Sequence, residues 1–163
     1  MNKRARIQET VFEHPGLHFR ELQRRLHLGT GSLTYYLEKL QKGVLKSERI
    51  GGYLRFYQMN LGRDYVRYLG ALRVESFRRI ILFLLAQPGM NHSKITKGVG
   101  LAPSTVSSHL MKLQGLDILR QNALCGEKVY VVTEPEKVAQ ILIEYKESFP
   151  DRLVDRFCKM WGI

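Results

Sequence analysis

Leu101-Ala102-Pro103-Ser104-Thr105-Val106-Ser107-Ser108-His109-Leu110, running on into Met111-Lys112-Leu113, decides the architecture. Val106, Leu110 and Leu113 stand at i, i+4 and i+7, one apolar stripe of a helix with 3.6 residues per turn. Pro103 suits the first turn of that helix, where its missing N–H would be unpaired anyway. Upstream, Gly100 carries a tight turn, and Ile95 and Val99, four apart, mark a short helix before it. Before that again, Pro88-Gly89 stops an apolar helix running from about Phe77 to Ala86. Downstream the period changes to two. Gln121-Asn122-Ala123-Leu124, then Cys125-Gly126, then Glu127-Lys128-Val129-Tyr130-Val131-Val132 reads as two strands around a tip.

Shifted by 73 residues, the chain overlays itself. Arg6, Ile7, Pro15, Gly16, Leu28, Leu37, Lys39, Leu40 and Gln41 fall on Arg79, Ile80, Pro88, Gly89, Leu101, Leu110, Lys112, Leu113 and Gln114. Apolar positions meet apolar ones between these identities, as Leu22 meets Ile95 and Leu33 meets Val106. One inserted residue then pairs Val44-Leu45-Lys46 with Ile118-Leu119-Arg120, and the ends are expected to realign with Arg55 and Tyr57 opposite Lys128 and Tyr130. The first copy therefore has the same order of elements. A helix over Lys3 to Glu13 ends at Pro15-Gly16, and a short helix with Phe19, Leu22 and Leu26 follows. Then come a turn carrying Gly29 and a third helix with Leu33, Leu37 and Leu40. A hairpin closes the copy, its Gly51-Gly52 tip supplying positive φ. Each copy is a helix-turn-helix core with a β-wing. The expected fold is mainly α with small β-wings: winged helix-turn-helix domains over 1–60 and 76–133, a helical connector over 61–75, and a C-terminal helical region over 134–163.

Composition narrows the partner. The chain of 163 residues is 44% hydrophobic and 25% charged, which fits a globular protein and excludes a wholly disordered one. Its net charge of +11 calls for a polyanion, either nucleic acid or an anionic membrane surface. Residues 1–62 carry +6, residues 63–133 carry +6, and residues 134–163 carry −1. A membrane-binding helix would put its cations beside the apolar face of the C-terminal helices, so nucleic acid is favoured and no membrane partner is expected. The longest apolar run, Ile80 to Ala86, has seven residues against the ~20 of a membrane span. No apolar run follows the basic start, so no secretory signal and a cytoplasmic location are expected. Cys125 and Cys158 form no disulfide framework and no CxxC pair. The histidines His14, His18, His27, His92 and His109 lack any HExxH, phosphate loop or nucleophile motif. Neither a metal, a cofactor nor an enzymatic activity is expected.

The segments His14-Pro15-Gly16-Leu17-His18-Phe19-Arg20-Glu21-Leu22 through Leu40, and Leu101 through Leu110, resemble winged helix-turn-helix transcription regulators. They are closest to the group that includes the MarR-like and ArsR-like families and their archaeal relatives with two such domains per chain. The resemblance covers roughly residues 4–60 and 77–133, and the Ser104-to-Leu110 run followed by Lys112-Leu113 is fairly specific for the third helix. It implies double-stranded DNA as partner and transcription regulation as role.

In such a motif the second helix enters the major groove and its early residues reach base edges. With the leucine stripe inward, Thr30, Gly31, Ser32, Thr34, Tyr35 and Lys39 face out, as do Ser104, Thr105, Ser107, Ser108 and Lys112 in the second copy. Tyr36 and His109, at matching positions beside the stripe, are expected to pack. Arg49, Tyr53 and Arg55 flank the first wing tip, while Lys128 on the second wing is accompanied by Glu127. Arg20, Arg24 and Arg25, with Lys94 and Lys97 in the second copy, are placed for phosphates. The more basic first wing predicts that the first unit is the principal reader. Ile141, Leu142, Tyr145, Phe149, Leu153, Phe157 and Trp161 make an apolar face that either docks on the winged units or, as expected here, forms a homodimer. The alternative function is a tandem winged-helix protein-interaction scaffold in a transcription or chromosome-organising complex, with a transcription-machinery protein as partner. That version would carry apolar residues on the outward third-helix face.

Overall fold

The computed structural model describes residues 1–149 and 151–160. The chain divides into two compact units, Met1–Arg73 and Val74–Ile163. In the first, α1 (Lys3–Glu13) starts at Asn2, whose Oδ1 accepts from the Ala5 N–H at 2.7 Å and so satisfies one of the donors a helix start leaves free. It stops before Pro15-Gly16, where Gly16 at φ 95° turns the chain. A two-residue strand, β1 (Leu17–His18), leads into α2 (Phe19–Leu26) and α3 (Thr30–Leu40). The wing is β2 (Leu45–Ile50) and β3 (Tyr53–Gln58), closed by Gly51 and Gly52 at φ 64° and 81°. β1 pairs antiparallel with β3, giving the order β1-β3-β2. Ile7, Val11, Leu22, Leu26, Leu33, Leu37 and Leu40 meet Leu17, Leu45 and Phe56 in one core.

The stretch 61–75 holds α4 (Arg63–Leu72), which belongs to the first unit and whose Val66, Tyr68, Leu69, Ala71 and Leu72 are buried. Close approach of α4 to the wing depends on Gly70: a Cβ there would lie 2.6 Å from Tyr57 Oη and 2.7 Å from Ile50 Cδ1. Arg73, at the end of α4, donates from Nε and Nη2 to the Pro15 carbonyl at 3.1 and 2.9 Å.

The second unit repeats the plan with α5 (Glu75–Ala86), α6 (His92–Val99), α7 (Pro103–Gly115), β4 (Leu119–Leu124) and β5 (Glu127–Val132). Asn91 caps α6 by accepting from the Lys94 N–H at 2.9 Å, and Pro103 occupies the first turn of α7. A single bridge between Met90 and Tyr130 stands where the first unit has β1. α8 (Pro135–Glu144), a 3-10 turn (Lys146–Ser148) and α9 (Arg152–Met160) complete the unit, with α9 against α5 and α8. Arg78 Nε meets Asp151 Oδ2 at 2.8 Å.

The predicted fold class holds, with two corrections inside it. The wing strands stay at the shifted offset, β2 matching β4 and β3 matching β5 end to end, and do not realign. Arg55 therefore corresponds to Val129 and Leu54 to Lys128. Burial follows this register: Arg55 and Val129 point inward, Leu54 and Lys128 outward. A one-residue slip exchanges the faces of every strand position, which is why the two alignments give opposite orientations for Arg55.

The second correction concerns the expected homodimer face. Ile141, Leu142, Phe149 and Phe157 are at most 4% exposed within the single chain, so they do not form an exposed apolar face. Tyr145 is half-buried, Leu153 is exposed, and Trp161 lies outside the described residues. Among the described residues no helix is long and apolar enough to cross a membrane.

Candidate nucleic-acid interface

The third helix of each unit is braced from the helix before it. In the first unit, Gln23 Nε2 on α2 donates to Thr30 Oγ1 at 3.1 Å, at the N-terminus of α3. In the second, His92 Nε2 on α6 lies 2.8 Å from Ser107 Oγ and 3.1 Å from the Pro103 carbonyl oxygen. Neither Gln23 nor His92 stood among the expected site residues. Their signal is position alone: each lies on the second helix, facing the turn.

The apolar stripes are spent on the two cores, which leaves the opposite faces to solvent. On α3, Thr30, Gly31, Thr34, Tyr35 and Lys39 are exposed and Ser32 is half-buried. Tyr35 is 50% exposed, and Lys39 Nζ sits 4.6 Å above its ring, so the aromatic face holds the cation beside it. On α7, Ser104, Ser107, Ser108 and Lys112 are exposed and Thr105 is half-buried. Ser107 is less free than its exposure implies, because its hydroxyl donates to the Pro103 carbonyl at 3.0 Å and meets His92. His109 packs: its Nε2 is 2.7 Å from Ser76 Oγ and its ring stands edge-on to Phe77 at 4.8 Å. Burial, and then Lys112, hold its imidazole below the ordinary histidine range. Tyr36 is half-buried against the first core and in edge contact with Tyr35. Two further residues face outward, Glu38 and its repeat partner Met111, which is 73% exposed. The same repeat alignment gives both positions.

The wings differ from expectation. Arg49 and Tyr53 are exposed, as is Lys128. Arg55, expected to contact phosphate, is 2% exposed and is removed from the outward set. Its Nε donates to the Ile50 carbonyl at 2.9 Å and its Nη1 to the Gly16 carbonyl at 2.9 Å, with Glu21 Oε1 at 3.8 Å. The guanidinium thus ties the wing to the β1 turn. Beside it His18 bridges elements, its Nε2 2.9 Å from Glu21 Oε1 and its ring stacked on Tyr53 at 4.3 Å. Burial lowers the His18 imidazole, with Arg55, Arg24 and Arg20 adding to the effect and Glu21 opposing it.

Without Arg55 the first wing is no richer in exposed cations than the second, which shows Arg120 and Lys128 beside Glu127. The asymmetry lies elsewhere. Arg20, Arg24 and Arg25 are all exposed on α2, against Lys94 and Lys97 on α6. With the boundary at Arg73, fourteen Lys and Arg against six acids give the first unit +8, and twelve against nine give the second +3. Among the described residues no group of three His, Cys, Asp or Glu is assembled to hold a metal ion.

Two copies of a three-helix core with a β-wing, each turning a polar third helix outward, define a tandem winged helix-turn-helix protein. Residues 1–64 match a family described as an N-terminal HTH domain, and residues 76–121 match the bacterial regulatory protein, arsR family. The chain is similar to an uncharacterized HTH-type transcriptional regulator of Methanocaldococcus jannaschii, 30% identical over 132 residues that make up 80% of this chain and 33% of that protein. The chain thus spans about a third of the length of that relative. Together these matches support a tandem helix-turn-helix regulator.

Proposed function

We propose that the protein is a sequence-specific double-stranded DNA-binding transcription regulator, with α3 and α7 in the major groove and the wings along the backbone. The observation that carries this reading is the outward face of α3. Hydroxyls, a glycine, Tyr35 and Lys39 stand in solvent while every leucine of the helix is buried. Hydroxyls and a cation are the groups that bond base edges and phosphates, and small residues let the backbone approach. Arg20 and Arg24 on α2 and Arg49 and Tyr53 on the wing supply the flanking phosphate contacts. In the second unit Ser104, Thr105, Ser107, Ser108 and Lys112 face the groove, with Lys94, Lys97 and Lys128 on the backbone. The first unit is the principal reader, by its larger positive charge and its freer third helix.

Selection of bound sites from a random duplex pool tests this. Enrichment of a defined motif, bound more tightly than RNA of equal length, is expected; the symmetry of the selected sites reads whether one chain or two copies engage. Equal retention of random DNA, selected DNA and RNA would remove sequence-specific regulation.

A protein partner is the second reading, favoured more at the second unit than at the first. There Met111 is 73% and Leu124 59% exposed, on the outward side of α7 and near the wing tip. Apolar groups at these positions fit a protein surface better than a phosphate backbone. Loss of a transcription-machinery contact on Met111→Lys and Leu124→Lys, with DNA affinity kept, is the expected signature.

A further inference from the structure

Helices α5, α6 and α9 of the second unit line a cavity of about 380 Å³ that opens to solvent. Small-molecule sites typically occupy ~300–1,000 Å³ and combine apolar walls with a few placed polar groups. Here the walls come from Leu82 and Phe83 on α5, Val99 on α6 and Phe157 on α9. Gly98 also lines the cavity and has no room for a side chain, because a Cβ there would run into the Phe83 ring. Two cations share the lining, Arg79 and Arg156, and among the described residues neither is in an ion pair. The nearby acid, Asp151, is ion-paired to Arg78 at 2.8 Å and feels the charge of Arg79 without pairing with it.

A largely apolar cavity with two guanidinium side chains in its lining, neither of them ion-paired among the described residues, matches a ligand that has an apolar body and an anionic head. A guanidinium fork recognises a carboxylate bidentately, and the desolvated wall rewards the hydrocarbon. We propose that this cavity binds a medium-chain carboxylate, its tail against Leu82, Phe83, Val99 and Phe157 and its head on Arg79 and Arg156. Gly98 and Val99 immediately precede Gly100, the left-handed residue at φ 65° that turns α6 into α7. The ligand therefore rests against the turn that sets the pose of α7. The site stands whatever α7 itself contacts.

Calorimetry on the full chain tests it, with decanoate, decanol and acetate as probes, each below its aggregation limit. Decanoate is expected to bind saturably at one site per chain, decanol at least tenfold more weakly, and acetate not measurably. Arg79→Gln with Arg156→Gln is expected to weaken decanoate tenfold or more and to bring it level with decanol. Ala86→Trp, at an exposed position on the cavity wall, is expected to block decanoate by filling the space. Circular dichroism checks that each variant folds. No saturable heat with decanoate, equal affinity for decanol, unchanged affinity in the double arginine variant, or binding that survives Ala86→Trp would each overturn the proposal.

Discussion

His27 adopts the left-handed region at φ 53° in the turn between α2 and α3. Its counterpart 73 positions on is Gly100, at φ 65° between α6 and α7. The backbone shape is shared, but only one copy fills it with the residue that adopts it without strain. A side chain in this region costs about 1–2 kcal/mol, and glycine's greater freedom in the unfolded chain returns ~0.5–1 of that. His27→Gly should therefore stabilise the first unit by about 0.5–1 kcal/mol, read as a higher urea midpoint with unchanged slope. His14 acts in the opposite sense. Burial first, then the charges of Arg25 and Arg73, lower its imidazole to about 4 in the folded chain against 6.5 ordinarily. Above pH 6.5 both states are neutral there and nothing is lost; as the pH falls from 6.5 to 4 the unfolded chain takes up a proton that the folded chain resists. Stability should decline across that window, and His14→Gln should flatten the decline in urea titrations at pH 7, 5.5 and 4.5.

At the scale of elements, the second unit packs α5 against α6 through a close contact of the Phe83 ring on Gly98. A Cβ on Gly98 would overlap the Phe83 ring, so the two helices approach more closely than any larger residue allows. Gly98→Ala should destabilise by about 1–3 kcal/mol through overpacking, and Phe83→Leu in the same chain should restore a good part of the loss. Additive losses in chemical denaturation would mean that the ring is not the obstacle. The helices themselves were legible in the sequence, since their stripes recur at the helical period over eight or more residues and the 73-residue repeat reads each twice. The wing register was not. Arg55 and Tyr57 matched Lys128 and Tyr130 by residue type, but backbone pairing through Gly16 N–H to the Phe56 carbonyl and Gly89 N–H to the Tyr130 carbonyl sets the other alignment. Side-chain type is a weak guide in a six-residue strand, and a slip of one carried Arg55 from an outward phosphate contact to an inward clasp on two carbonyls. β1 is not legible in the sequence for a related reason, because two residues are too few to display a period. The amphipathic C-terminal helices were legible as helices, but periodicity alone does not say what an apolar face meets, and most of theirs is already buried within the single chain.

For the whole molecule, charge is what separates two units of nearly the same plan. The first carries +8 and the second +3, and the difference owes more to acids and to the cations on α2 than to the wings. Each phosphate neutralised on duplex DNA releases counterions, so the slope of log affinity against log salt counts those contacts at roughly 0.9 apiece. If the first unit is the principal reader, Arg20→Ala with Arg24→Ala should lower the slope by roughly 1.8 for the selected site. The matching pair Lys94→Ala with Lys97→Ala should then lower it by roughly 0.9 or less. All four side chains are exposed and outside both cores, so these variants change charge without touching the packing that forms the helices. Arg55→Ala is the informative control: it removes a cation too, but one bonded to the Ile50 and Gly16 carbonyls. It should lower stability by about 2–4 kcal/mol, since two carbonyls lose their donor, and leave the salt slope of the folded protein as it was. Equal slope changes from the two exposed pairs would assign the units equal shares of the backbone, and a larger change from the lysines would make the second unit the reader.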